Sequence, residues 1–101
     1  WIVTSDEIPD PSALLLVTRL NGAQVQRSGT DLLIYPIDLI LAYLSKITEL
    51  RPGDIVATGT PAGVGALRDP PLWMKPGDRV EVEIDRIGTL RNAVVATGPA
   101  D

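Results

Sequence analysis

Neither cysteine nor histidine occurs in this chain. Without cysteine there is no disulfide, no thiolate metal site and no cysteine nucleophile. Without histidine there is no Ser-His-Asp triad and no His-rich zinc site. Any metal is therefore expected on oxygen ligands, the set that suits magnesium, calcium or manganese. Phenylalanine is also absent, and the aromatics are two tryptophans and two tyrosines. The core must come from Val, Ile, Leu and Ala. No basic cluster is present: 9 basic residues stand against 13 acidic ones, a net charge of -4, so nucleic acid is not an expected partner. Long apolar runs are missing too. The stretch LLIYPIDLILAYL carries a proline and an aspartate, which argues against a transmembrane helix, and no signal-peptide pattern is read. We expect a cytoplasmic protein without a membrane partner. The first residue is Trp1 and the only methionine is Met74. We read residues 1–101 as a piece of a longer polypeptide, or as a processed one.

What remains is ordinary globular composition, 45% hydrophobic and 22% charged, in a length that fits one small domain or part of a larger one. DEIPDPS, residues 6–12, has two prolines and three carboxylates and reads as an extended, exposed lead-in. ALLLVTRL then reads as a buried strand. Asn21-Gly22 predicts a hairpin, because a type I′ turn needs positive φ at both central positions. AQVQR is the return strand, with Val25 facing inward. The one helix is expected over residues 36–50, where Ile37, Ile40, Leu41, Leu44 and Ile47 share a face. Pro36 suits its first position and Asp38 its first turn; Arg51-Pro52-Gly53 ends it.

Two later segments echo each other. RPGDIVATGT and KPGDRVEVEI both run from a basic residue through Pro-Gly-Asp into an apparent strand. Pro-Gly is the preferred centre of a type II turn, so we read two equivalent turn-to-strand starts. VEVEID alternates strictly, with Val80, Val82 and Ile84 on one face and Glu81, Glu83 and Asp85 on the other. IGTLRNAVV reads as its antiparallel partner, and the terminal ATGPAD as frayed. The sum is a mainly β chain with one helix.

Two places carry candidate chemistry. The first is GDIVATGTPAGVG, residues 53–65. It is not a Walker loop, since no lysine follows until Lys75. It is not a dinucleotide loop either, since ALRDPPLW follows where a helix would have to begin. From pattern alone the plain reading is a wide surface loop whose glycines solve a backbone problem. That plain reading is preferred on pattern, and the two hydroxyls flanking Gly59 at a strand end tilt it only slightly toward a ligand-contacting loop. The second place is Glu81 and Glu83, about 6–7 Å apart at the strand. That spacing would admit a hard divalent cation, with Asp85, Asp31 or Asp54 as further ligands. The reading preferred is a solvated strand face whose charges discourage edge pairing.

Taken in order, DEIPDP, the Asn-Gly hairpin, ELRPGDIVATGTPAGVG and PPLWMKPGDRVEVEIDRIGTLRN resemble the C-terminal part of the fumarylacetoacetate hydrolase family over nearly all of residues 1–96. The likeness is nearest to the bacterial single-domain members described as isomerases or decarboxylases of aromatic catabolism. It implies part of a mixed β-roll, a homodimer or pairing with an N-terminal portion, and a magnesium- or manganese-dependent enzyme acting on oxo acids. C–C hydrolysis, decarboxylation and tautomerisation through an enolate-like species all belong to the family. The resemblance assigns Gly59, Thr60 and Pro61 to the substrate pocket, where Thr60 and nearby N–H groups would hold a carbonyl or carboxylate oxygen. Its metal ligands, a Glu-x-Glu pair and an Asp with a lysine nearby, correspond to positions upstream of Trp1. Glu81-Val82-Glu83 has that spelling but aligns with a later strand, so no metal ligand is assigned here and this chain alone is expected to be inactive. The family often has Asn-Thr before its helix where this chain has Gly29-Thr30. The rival reading is a non-catalytic β-rich module for assembly or partner binding, whose unpaired strands seek another copy.

Overall fold

The computed structural model describes residues 2–98, so the last part of the expected frayed tail, residues 99–101, lies outside the described residues. Four strands and one helix make up the regular structure: β1 (Leu15–Leu20), β2 (Ala23–Gly29), α1 (Ile37–Leu44), β3 (Arg79–Ile84) and β4 (Gly88–Ala93). The strands form one antiparallel sheet in the order β2-β1-β3-β4. The expected mainly β chain with one helix is what is observed.

The β1–β2 hairpin turns where Asn21-Gly22 predicts it, with φ of 50° and 82°. The Asn21 side chain also locks the hairpin to β3. Its Nδ2 donates to Asp78 Oδ1 at 2.9 Å, and its Oδ1 accepts from the Arg79 N–H at 2.8 Å. These bonds, the Asn21 contact first and the Lys75 N–H second, hold the Asp78 carboxyl below its ordinary value of 3.8. Thr18 faces Gln26 while Arg19 faces Gln24, so Val25 is the extra residue of a β-bulge. β1 then pairs with β3, from Leu16 opposite Ile84 to Leu20 opposite Val80, and β3 with β4, the antiparallel partner the sequence predicts, through a tight connection from Ile84 to Gly88.

The two Pro-Gly-Asp segments are the same turn. In each the aspartate carboxylate accepts from the N–H three residues earlier, Arg51 to Asp54 at 2.8 Å and Lys75 to Asp78 at 2.7 Å. Gly53 and Gly77 take φ of 101° and 94°, the sign a type II turn requires at that place. The expected strand follows only the second. Residues 55–60 pair with no strand among the described residues, and Ile55 is 91% exposed. A strand exists through a ladder of partners, and residues 79–84 have β1 and β4 whereas residues 55–60 have none.

The helix is shorter than its periodicity predicts. After Leu44 the chain tightens into i→i+3 bonds, Lys46 to Tyr43 at 3.1 Å and Ile47 to Leu44 at 2.9 Å, and Ser45 Oγ donates to the Ala42 carbonyl. Pro36 is the residue before the helix, not its first one, and its carbonyl accepts the first helical bond from Ile40. Of the predicted apolar face, Ile37, Ile40 and Leu44 are half-buried and Leu41 and Ile47 are exposed. The lead-in is not wholly extended either. Its Ile8 is buried, and Pro11–Ala13 form a short 3-10 turn capped by the Asp10 carboxylate, which accepts from the Ser12 N–H. Ile8, Leu14 and Val17 are the buried apolar residues, and large side chains such as Ile34, Ile55, Tyr43 and Trp73 stand exposed. That is far more apolar surface than a self-contained domain normally presents to water.

Candidate substrate loop

The glycine-rich loop is fastened to the bulged stretch of β2 at two points. At one, Gln26 Nε2 donates to the Pro61 carbonyl at 2.9 Å and reaches Thr60 Oγ1 at 3.4 Å. At the other, Arg68 donates from Nε to the Gly63 carbonyl at 3.0 Å and from its guanidinium to the Val25 carbonyl. The bulge makes this possible. Val25 has no opposite residue on β1, so its carbonyl is available to a cation arriving from the loop. Gly63 must be glycine here: φ is 100°, and a Cβ would lie 2.5 Å from the same Val25 oxygen.

So held, the loop closes one side of a cavity of about 350 Å³. Gly59, Thr60 and Pro61, the three residues the resemblance assigns, all border it, together with Thr58. Leu16 and Ser28 contribute from the sheet, and Ile37 and Ile40 from α1. The wall thus combines apolar side chains with the hydroxyls of Ser28, Thr58 and Thr60, the pattern of a small-molecule site in which a few polar groups fix orientation. The N–H groups of Gly59 and Thr60 have no partner among the described residues. The Thr30 hydroxyl, by contrast, is committed: it donates to Pro11 and accepts from the Leu14 N–H. Gln26, Ser28 and Arg68 did not stand out in the sequence. Only the strand register and the loop's path bring them to the site.

The carboxylates considered for metal go elsewhere. Glu83 pairs with Arg19 at 2.6 Å, and Glu81 with Arg91 at 2.8 Å and Arg79 at 3.7 Å. By strand alternation these residues occupy the Val17 face of the sheet, opposite the Leu16 face that borders the cavity. The pairs are partly exposed, with the Glu81 side chain 20% and the Arg19 side chain 32% open to solvent, and each contributes about 1 kcal/mol. Asp85 accepts from the Leu15 N–H, Asp54 closes its turn, and Asp31 lies against Gly29. Among the described residues, no three His, Cys, Asp or Glu side chains are grouped so as to hold a metal. The described residues therefore do not fit a divalent-metal site. No helix among them is long and apolar enough to cross a membrane.

Residues 1–95 match the family described as "Fumarylacetoacetate (FAA) hydrolase C-terminal". An uncharacterised protein of Staphylococcus saprophyticus is 48% identical over 94 residues, which is 93% of this chain and 31% of the relative. Among solved structures, the fumarylacetoacetate hydrolase of Exiguobacterium antarcticum superposes with a TM-score of 0.89 at 42% identity, over 94% of this chain and 34% of that one. The maleylpyruvate hydrolase of Sphingobium sp. SYK-6, solved with manganese(II) and pyruvate, superposes with a TM-score of 0.83 at 38% identity, over 94% and 33%. The chain spans about a third of the length of the relatives it matches.

Proposed function

Because this chain belongs to the fumarylacetoacetate hydrolase family, we propose that it supplies the substrate loop of a metal-dependent enzyme acting on oxo acids. In this reading the parent enzyme performs C–C hydrolysis, decarboxylation or isomerisation in the breakdown of aromatic compounds. The observation that carries the reading is that Gly59, Thr60 and Pro61 border one cavity, with the Gly59 and Thr60 N–H groups unpaired among the described residues. Donors fixed in advance at a partly enclosed surface bind an anionic oxygen without reorganising, which favours both an oxo-carboxylate and the enolate-like charge that develops from it. The Thr60 hydroxyl donates to that oxygen, and Leu16, Ile37 and Ile40 exclude water beside it. The Sphingobium relative with manganese and pyruvate supports a divalent metal and a small oxo acid as the ligands. Because no metal site fits the described residues, we assign the metal ligands, magnesium or manganese, to the part of the relatives' length that this chain does not span, and no catalytic step through the metal follows from this chain.

Thr60→Val tests the reading. It keeps the shape and removes the hydroxyl. Losing one hydrogen bond to a charged oxygen weakens pyruvate binding by the intact enzyme, measured with manganese present, by about ten- to a hundredfold. An unchanged Kd would sink the assignment of Thr60.

The exposed Ile34, Ile55, Tyr43 and Trp73 favour a second, compatible role in assembly, with another copy or with an N-terminal portion covering them. A concentration-dependent oligomer with no oxo-acid affinity would leave assembly as the whole function.

A further inference from the structure

Gln26 is the only side chain of the sheet that hydrogen-bonds the Gly59–Pro61 loop among the described residues. The Pro61 carbonyl can only accept, so the Gln26 atom 2.9 Å from it is the amide nitrogen. That nitrogen has two hydrogens. One is engaged with Pro61, and Thr60 Oγ1, at 3.4 Å, is the acceptor for the other. A threonine hydroxyl has one proton. If its oxygen accepts from Gln26, the proton is left for a different acceptor, and no group among the described residues takes it.

We propose that Gln26 is a positioning residue of this site. It ties Pro61 to β2, and it sets the polarity of the Thr60 hydroxyl so that this group donates outward, toward an oxygen in the cavity. The second half rests on the oxo-acid reading above; the first stands on geometry alone. Gln26 is suited to the task because it follows the bulge residue Val25, whose carbonyl holds Arg68 and thereby the far end of the same loop. A glutamine contributes what a carboxylate of equal length cannot. A carboxylate would face the Pro61 carbonyl lone pair to lone pair, and it would draw the Thr60 proton to itself, away from the cavity.

Two variants test this, Gln26→Met and Gln26→Glu, with two measurements. The first is backbone 15N relaxation on this chain, with the β1–β3 amides as the internal control. In Gln26→Met, order parameters at Gly59, Thr60 and Ala62 fall from about 0.85 to below about 0.6 while the ladder amides keep theirs. In Gln26→Glu they fall likewise at neutral pH and recover on acidification, because the protonated carboxyl regains one O–H donor for Pro61. The unsubstituted chain shows no such recovery. The second is the Kd of the intact enzyme for pyruvate with manganese. It rises about fivefold or more for each variant at neutral pH, as expected for one neutral hydrogen bond, and in Gln26→Glu it stays raised as the pH falls even though loop order recovers, because the single O–H of the protonated carboxyl is spent on Pro61 and its other oxygen still draws the Thr60 proton. Unchanged order parameters in both variants would overturn the anchoring. Loss of loop order with pyruvate affinity unchanged would overturn the hydroxyl's polarity. If the unsubstituted enzyme does not bind pyruvate while the relaxation pattern holds, the oxo-acid reading fails and takes the donation half with it, and the anchoring survives. Should Gln26→Met fail to fold, Gln26→Glu compared with itself across pH decides the same questions.

Discussion

Gly59 and Gly63 sit four residues apart in one loop with nearly the same backbone sign, φ of 116° and 100°, but in different surroundings. A Cβ at Gly59 meets nothing within 4 Å, whereas one at Gly63 lies 2.5 Å from the Val25 carbonyl. Alanine at either position bears the backbone cost of a left-handed conformation, about 1–3 kcal/mol. At Gly63 there is a further cost, because carbon and oxygen normally stop about 3.3 Å apart. Backbone cannot yield as a flexible side-chain tip does. The loop must lift off β2, and lifting breaks the Arg68 bonds to Gly63 and Val25. With a charged donor, that loss amounts to about 2–3 kcal/mol beyond the backbone strain. Gly63→Ala should therefore be the more destabilised of the two by about 2 kcal/mol, roughly thirtyfold in the folding equilibrium. Urea unfolding followed by circular dichroism reads this as a lower midpoint at an unchanged slope. Equal midpoints for Gly59→Ala and Gly63→Ala, or a lower one for Gly59→Ala, would refute the claim that the loop is pressed against β2.

Two further outcomes follow from the hairpin clasp. Asn21→Ala removes a residue that tolerates φ of 50° and also both side-chain bonds to Asp78 and Arg79; the expected loss is about 2 kcal/mol, checked by the same urea titration, and Asn21→Gly should recover the backbone part alone. Asp78 has its folded pKa below its unfolded one, so the stability it contributes is present above the ordinary value of 3.8 and disappears as the pH falls from there through the lowered folded value. Asp10 titrates in the same direction through Ser12. Thermal melts should be insensitive to this pair between pH 5 and 7 by about the spread of repeat scans, then drop below about pH 4, and Asp78→Asn should reduce the drop. A drop of the same size in Asp78→Asn would remove Asp78 from the account.

Local signals carried the hairpin, the existence of the helix and the β3–β4 pair, because each depends on residues adjacent in the chain. Asn21-Gly22 accepts positive φ at little cost, and the alternation of Val80, Val82 and Ile84 is visible without a partner. The loop's residues were legible as a motif, but the cavity that Gly59, Thr60 and Pro61 border was not. The rest was not, for a shared reason. Nothing in RPGDIVATGT and KPGDRVEVEI says that only the second finds neighbours, because β1 reaches it through pairings from Leu20–Val80 to Leu16–Ile84, sixty or more residues apart in sequence. The pairing of Glu81 and Glu83 with Arg91 and Arg19 depends likewise on register across strands.

The sequence by itself determined the turns, because backbone permission at glycine, proline and asparagine is a property of each residue, and its motifs determined the family. Only the tertiary structure decided that a bulge at Val25 turns a carbonyl toward Arg68, that Gln26 meets Thr60 and Pro61, and that the acidic pair lies on the face away from the cavity. Those facts belong to distances between distant segments, and a one-residue change of register would have reversed every face.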